Sequence, residues 1–169
     1  MVHSVELLFD LDTEAAIRRA WDDLRAAGLA AQRPTARPHV TLVVATGMDE
    51  AVAQSLSVLS PRFPVSCRVG SALVFGRSAA VLARSIVPSA DLLDIHAEAC
   101  RLAALHLRSA AMPHTQPGDW SPHVTLGRRI PADRLAAALS IAGHPAEISG
   151  AFVGLRHWDG DTRTEIQIS

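Results

Sequence analysis

The pentapeptide Pro38-His39-Val40-Thr41-Leu42 recurs letter for letter as Pro122-His123-Val124-Thr125-Leu126, so two histidines stand 84 positions apart in identical words. A repeat of this kind points to an internal structural duplication. Side chains alternate along a strand, which puts His39 and Thr41 on one face and Val40 and Leu42 on the other. His123 and Thr125 stand against Val124 and Leu126 in the same way. Two polar residues at period two beside apolar neighbours make one wall of a groove. If a pseudo-two-fold axis relates the halves, the walls face each other, and two imidazoles and two hydroxyls converge. That set suits reaction at a phosphodiester, which needs a base for the incoming oxygen and an acid for the departing one, on opposite sides of phosphorus. Histidine serves in either part near neutral pH. The threonine hydroxyls can donate to the non-bridging oxygens, where charge builds in the transition state. No metal or other cofactor is required.

Other readings of the same residues stay open. Taken singly, each motif is an ordinary strand end with a surface His and Thr; the exact repetition weighs against that. A metal-dependent hydrolase drawing on the eight histidines is a third reading. Thr is a weak ligand, however, and neither motif carries a carboxylate or a His-x-His pair. The groove could also serve a catalytically weak module that binds a nucleotide or an RNA end.

Composition narrows the field. The 169 residues contain 16 basic and 17 acidic side chains and are 49% hydrophobic, which fits one globular unit with a sizeable interior. No run of like charge provides the basic stripe of an extended nucleic-acid grip. Every basic residue is Arg, and Lys, Tyr and Asn are absent, which excludes a phosphate-loop lysine, a Schiff base and a lysyl-nucleotide intermediate. Cys67 and Cys100 have no metal or disulfide spacing. With no signal-like start, a reduced, cytoplasmic location is expected. The longest apolar stretches fall far short of the roughly 18 to 20 residues that span a bilayer, so no membrane association is expected.

Both motifs need strands and supporting helices. The pattern predicts a strand over Val2–Phe9, and a helix capped by Asp12 or Thr13 and ended by Gly28. The first motif strand, Val40–Val44, follows a Pro-bounded loop, and a helix is predicted over Asp49–Leu59. Strands over Val65–Phe75 and Ala80–Val87 flank a Gly76-Arg77-Ser78 turn. Ser89 caps a long helix carrying Leu92, Leu93, His96, Cys100, Ala103 and Leu107. A loop over Met112–Pro122 delivers the chain into the strand His123–Gly127, followed by a helix over Ala132–Ala142. The chain closes with strands over Ile148–Trp158 and Arg163–Ile168 around Asp159-Gly160-Asp161. Interleaving without strict alternation predicts an α+β fold, and no linker divides residues 1–169 into two domains.

On these motifs the sequence resembles the two-histidine phosphoesterase superfamily, in particular its 2′-5′ RNA ligase-like branch. The second copy extends to His123-Val-Thr-Leu-Gly-Arg128, similar to that branch's H-x-T-L-(A/G)-R form, and Val74-Phe75-Gly76 and the His96 helix are similar too. The resemblance implies a bilobal pseudo-two-fold fold with two antiparallel sheets flanking a central groove and helices outside. It implies hydrolysis of 2′,3′-cyclic phosphates of nucleotides or RNA ends, usually to 2′-phosphates, and in some members reversible ATP-independent 2′-5′ ligation. It also assigns His39 as donor to the leaving O3′ and His123 as acceptor from water. This sequence departs from the branch after the first motif, where Val43-Val44-Ala45 lacks an expected aromatic residue. With 4% aromatic content, a small cyclic nucleotide is as suitable a substrate as an RNA terminus.

Arg128 completes the family form and joins Thr41 and Thr125 as a phosphate-binding candidate. Arg37, beside the first motif, and Arg156, on a late strand, are possible substrate contacts, though Arg beside a strand is commonly a solvated residue. Trp120 either packs on a nucleobase or anchors its loop. His96 and His106 read as packing or surface residues, His114 as a loop residue near the groove, and His3 and His144 stand without context. Both cysteines read as small buried hydrophobes. A monomer is the simplest assembly.

Overall fold

Seven antiparallel strands form one sheet in the computed structural model, which describes residues 2–76 and 80–169. The elements are β1 (His3–Phe9), α1 (Leu11–Ala26), β2 (His39–Ala45), α2 (Val52–Leu56), β3 (Val65–Phe75), β4 (Ala80–Ile86) and α3 (Ala90–Ala103). After them come β5 (Thr115–Gln116), β6 (Asp119–Trp120), β7 (His123–Ile130), α4 (Leu135–Ala142), β8 (Ile148–Asp159) and β9 (Thr164–Ile168). Strand order along the sheet is β2-β1-β8-β3-β4-β7, with β9 also on β8. This order is a palindrome in architecture. β1-α1-β2 and β4-α3-β7 are each a strand, a helix and an antiparallel neighbour carrying one motif.

The α+β class and the antiparallel pairing follow the expectation, and the two sheets prove continuous through β8. The first residues of this twelve-residue strand, Ile148–Phe152, pair with β3, while Leu155–Asp159 pair with β9. Phe152–Trp158 pair with β1 on the other side. The motif strands occupy the outer edges of the palindrome, and β2 and β7 nevertheless approach one another, so the sheet curls to bring its ends together.

Helices pack across the halves. α1 buries Ile17, Ala20, Trp21 and Leu24 and lies against β7 and β8, while α3 buries Leu92, Ile95, Ala99 and Ala103 and lies against β2. The apolar spacing of three and four places these residues on one stripe. Val5, Leu7, Phe9, Leu42, Leu82, Leu126 and Phe152 meet them from the sheet. Each such side chain contributes about 1.5 to 3 kcal/mol by burial.

Several boundaries differ from the sequence reading. Asp10, rather than Asp12 or Thr13, caps α1: its carboxylate accepts from the Thr13 amide at 2.9 Å and the Thr13 hydroxyl at 2.8 Å. Gly28, at φ +70°, ends that region as expected. The helix expected over Asp49–Leu59 is α-helical only at Val52–Leu56 and tightens into a 3₁₀ segment, Ser57–Arg62, which contains Pro61. Proline has no amide hydrogen to continue an α-helical ladder. The expected helix over Ala132–Ala142 likewise opens with a 3₁₀ turn, Ala132–Arg134. α3 is capped by Ser89 as predicted, but Leu107 lies past its end and Leu93 is exposed. The Met112–Pro122 loop contains the β5–β6 hairpin, and β7 continues to Ile130. Of the Gly76-Arg77-Ser78 turn, Gly76 has φ +89°, and Arg77 and Ser78 lie outside the described residues. No helix among the described residues is long and apolar enough to cross a membrane.

Candidate active site

Each motif histidine is held by a hydrogen bond to its own strand entry. His39 Nδ1 lies 2.7 Å from the Arg37 carbonyl oxygen, and His123 Nδ1 lies 2.7 Å from the Ser121 carbonyl oxygen. A carbonyl only accepts, so both Nδ1 atoms carry hydrogen and donate. Both Nε2 atoms are thereby left to exchange a proton. Pro38 and Pro122 precede the histidines and favour extended backbone at Arg37 and Ser121, which sets up this local contact twice.

Thr41 and Thr125 follow two residues on, half-buried, and neither hydroxyl has a hydrogen-bond partner among the described residues. Their backbone carbonyls are fixed instead. Trp120 Nε1 donates to Thr41 O at 3.0 Å, and Trp21 Nε1 donates to Thr125 O at 3.2 Å. The Trp120 ring stacks on His96 with centroids 3.8 Å apart and planes 14° from parallel. Trp120 therefore anchors its loop to β2, and His96, buried with Nε2 3.0 Å from Thr115 O, is the packing residue expected.

The two histidines differ in what surrounds them. Glu6, 3% exposed, places a carboxylate oxygen 3.4 Å from His39 Nε2. Glu6 is opposite Thr41 across β1–β2 and opposite Arg156 across β1–β8, so the three stand in a row on one face. Its Oε2 accepts from Arg156 Nε at 2.7 Å and lies 2.6 Å from Nη2, and its Oε1 accepts from Ser4 Oγ at 2.6 Å. Arg156 is also buried, bonds Glu165 through Nη1, and has Nη2 3.4 Å from His39 Nδ1. A buried ion pair needs this degree of satisfaction to offset its desolvation.

His123 meets the ring of Phe75, with centroids 4.6 Å apart and planes 48° from parallel. Burial is the main cause that holds its pKa below the ordinary imidazole value. The hydrogen bond to Ser121 opposes this shift, and the positive charges of Arg128 and His39 reinforce it. Arg128 is exposed on β7. Arg37 is tied to Glu14, with Nε 3.3 Å from Oε2, while its carbonyl orients His39.

Gly127, the glycine of the extended second motif, has a steric reason. A Cβ there would stand 2.0 Å from the Ala30 carbonyl oxygen in the segment after α1. The same segment bonds β7 through Gln32 N and Leu126 O at 2.9 Å. Only glycine admits this backbone approach.

Sequence reasoning missed Glu6. A glutamate between Val5 and Leu7 in a strand with no exposed face was the available signal, but its partner Arg156 is 150 residues away. A cleft of about 860 Å³ opens beside His39 and reaches Arg156, Trp158 and the β8–β9 turn.

Potential metal ligands gather elsewhere. His3, Asp159 and Asp161 bring one ligand atom each within 4.8 Å of one another. Strand alternation puts His3 and Asp159 on the opposite sheet face from Glu6 and Arg156. His3, left without context by the sequence, is buried there, its Nε2 3.1 Å from Asp161 Oδ2, with its ring stacked on His157 at 5.7 Å. His114 is exposed with Nδ1 3.1 Å from Asp119, and His106 contacts Ser55 Oγ at 2.6 Å. His144 Nδ1 lies 2.7 Å from the Ser140 carbonyl oxygen in an exposed turn. Both cysteines are buried, and burial pushes the Cys67 thiol up to about 12 and the Cys100 thiol up to about 11.

The sequence model of the 2′-5′ RNA ligase superfamily matches residues 13–162. Among solved structures, E. coli LigT in apo form is 18% identical with a TM-score of 0.62, covering 99% of this chain and 94% of that one. Kluyveromyces marxianus Usb1 is 13% identical with a TM-score of 0.56, covering 99% and 97%. The MHV ns2 PDE domain is 11% identical with a TM-score of 0.55, covering 99% of both chains. These likenesses concern the fold. LigT has been solved with 3′-AMP and with NADP+, and Usb1 with uridine monophosphate. No curated protein sequence matches this chain.

Proposed function

This chain belongs to the 2′-5′ RNA ligase superfamily, and from that premise we propose a phosphoesterase that hydrolyses 2′,3′-cyclic phosphates of nucleotides or RNA ends through His39 and His123. The observation that carries the proposal is the twin Nδ1 hydrogen bond, 2.7 Å in both motifs, which leaves each Nε2 for proton transfer. The surroundings support a division of labour. A pKa held down by burial, Arg128 and His39 keeps His123 neutral and able to accept a proton. The Glu6 carboxylate beside His39 Nε2 provides the counter-charge for an imidazolium that donates one.

In the proposed reaction His123 Nε2 takes a proton from water as its oxygen attacks phosphorus. The bond from phosphorus to O3′ breaks, and His39 Nε2 gives its proton to O3′, leaving a 2′-phosphate. Thr41 and Thr125 hydroxyls and Arg128 bind the non-bridging oxygens, where negative charge accumulates. A 5′-hydroxyl in place of water would give a 2′-5′ linkage by the same transfers. The acid–base pair supplies the chemistry without a metal. One chain contributes both motif strands, which supports a single two-lobed domain, residues 1–169, acting as a monomer on a small cyclic nucleotide or an RNA terminus.

The test is turnover of the four nucleoside 2′,3′-cyclic phosphates and of a cyclic-phosphate-ended RNA in the presence of chelator, with product regiochemistry read by phosphorus NMR. We expect 2′-phosphate products. No turnover of any of these substrates, or unimpaired turnover by a His39→Ala/His123→Ala double variant, would overturn the proposal.

A further inference from the structure

We propose that the cleft beside His39 holds a second anion subsite, and that the preferred substrate carries another phosphate besides the one that reacts. This deepens the reading above and rests on His39 facing the reacting phosphorus. The cleft, about 860 Å³, is of the size that takes a small-molecule ligand. Its lining concentrates positive charge: Arg18, Arg33, Arg37, Arg156 and Arg163 against Glu6 and Glu165, in a chain whose net charge is −1.

These arginines are differently engaged. Arg156 is committed to Glu6 and Glu165. Arg18 and Arg37 share Glu14. Arg33 and Arg163 are exposed, and neither side chain has a hydrogen-bond or ion-pair partner among the described residues. Two unpaired guanidiniums on the rim of one cleft are suited to a phosphate, which each can bind through two parallel hydrogen bonds. Arg163 lies in the β8–β9 turn with φ +59°, a left-handed conformation that the turn imposes on it.

The cleft also provides an apolar surface. Trp158 is half-buried in its lining, with the Arg156 guanidinium carbon 5.5 Å from the ring centroid. A nucleoside can lie against such a ring while its cyclic phosphate meets the histidines and its 5′-phosphate meets Arg33 and Arg163. The shared ligand chemistry is a 5′-phosphorylated nucleoside 2′,3′-cyclic phosphate. It exists as a free nucleotide, and as the last residue of an RNA, where the 5′-phosphate is a diester.

The experiment compares kcat/KM of the full chain for adenosine 2′,3′-cyclic phosphate, its 5′-phosphorylated counterpart and a cyclic-phosphate-ended adenosine dinucleotide. We expect at least a tenfold advantage for a 5′-phosphorylated form, expressed in KM and reduced by added salt. A free-nucleotide source favours the monoester arm, and an RNA source the dinucleotide arm. Arg33→Ala with Arg163→Gly, the latter a substitution the positive φ accommodates, should bring that ratio close to one. Equal kcat/KM across the three substrates, or an advantage that survives the double substitution, would overturn the subsite while leaving the hydrolytic reading intact. Calorimetry with adenosine 5′-monophosphate against adenosine reads the subsite without turnover; equal affinity would count against it, and tighter binding of the monophosphate that the double substitution abolishes would support it.

Discussion

The two halves of this molecule carry the same five letters in unlike surroundings. Around His39 the sheet floor is ionic: buried Glu6 and Arg156 and the exposed Glu165 form a chain of charge, with a carboxylate 3.4 Å from Nε2. Around His123 it is apolar and cationic, with the Phe75 ring at 4.6 Å and Arg128 on the same strand. Both rings are oriented by one device, the Nδ1 hydrogen bond to the carbonyl two residues before. Orientation thus comes with the repeated word, while the surroundings of each ring are set by residues outside it. The repeat provides a symmetric frame, and the proposed division of work between the two rings rests on their non-symmetric neighbours.

The sharpest way to break this comparison is to remove each ring in turn. His39→Ala and His123→Ala should each lower turnover of a 2′,3′-cyclic nucleotide by about 10² to 10⁴, with circular dichroism unchanged. A substrate with a 4-nitrophenolate leaving group separates them, because that group departs without a proton. His39→Ala should recover most of its activity on such a phosphodiester, and His123→Ala should not. Equal recovery would show that the halves are chemically equivalent.

Glycine 127 sharpens the structural side. Its counterpart after the first motif is Val43, a core residue, whereas a Cβ at 127 would strike the Ala30 carbonyl. Gly127→Ala should destabilise the fold by about 1 to 3 kcal/mol, read as a lowered midpoint in urea. Glu6→Gln should reduce kcat on the cyclic nucleotide about tenfold, equivalent to about 1.4 kcal/mol, with KM little changed. A merely structural loss would appear equally on the 4-nitrophenyl substrate, so the ratio of the two rates is the test.

The smallest effect concerns pH. A base must be neutral, so kcat/KM rises with pH through the pKa of His123. Burial, Arg128 and His39 lower that pKa, so the acidic limb should lie below the ordinary histidine value of about 6.5. Phe75→Ala admits water to the ring and should move the limb upward. An unmoved limb would mean that the apolar contact does not tune the base.

Much of this frame was legible in the residues. Alternation in Val40-Thr41-Leu42 and its copy places the site strands, Ser89 announces α3, and the helical spacing of Ala16, Ala20, Leu24 and Ala27 announces α1, whose buried face is Ile17, Ala20, Trp21 and Leu24. Local chemistry governs these features, and local chemistry can be read from a string. The partners of Glu6, Trp120 and His3 could not be read, because each lies across the sheet or on another element. The stack of His96 on Trp120 depends on α3 crossing to β2, which no periodicity encodes. Asp10 was overlooked as a cap because Asp12 and Thr13 offer equally good capping letters. Its selection follows from where β1 ends: the strand stops at Phe9, as the pattern predicts, and Asp10 is the first residue after it.

The position of β8 has a consequence for how the protein is made. This strand joins β1 to β3, yet synthesis delivers it after every other strand except β9. Until residues 148–159 clear the ribosome, both half-sheets present an unsatisfied inner margin of amides and carbonyls, a template for pairing with any nascent neighbour. The chain is therefore most exposed to misassembly in the last stretch of its translation, and the two half-sheets that carry its motif histidines are joined only at the end.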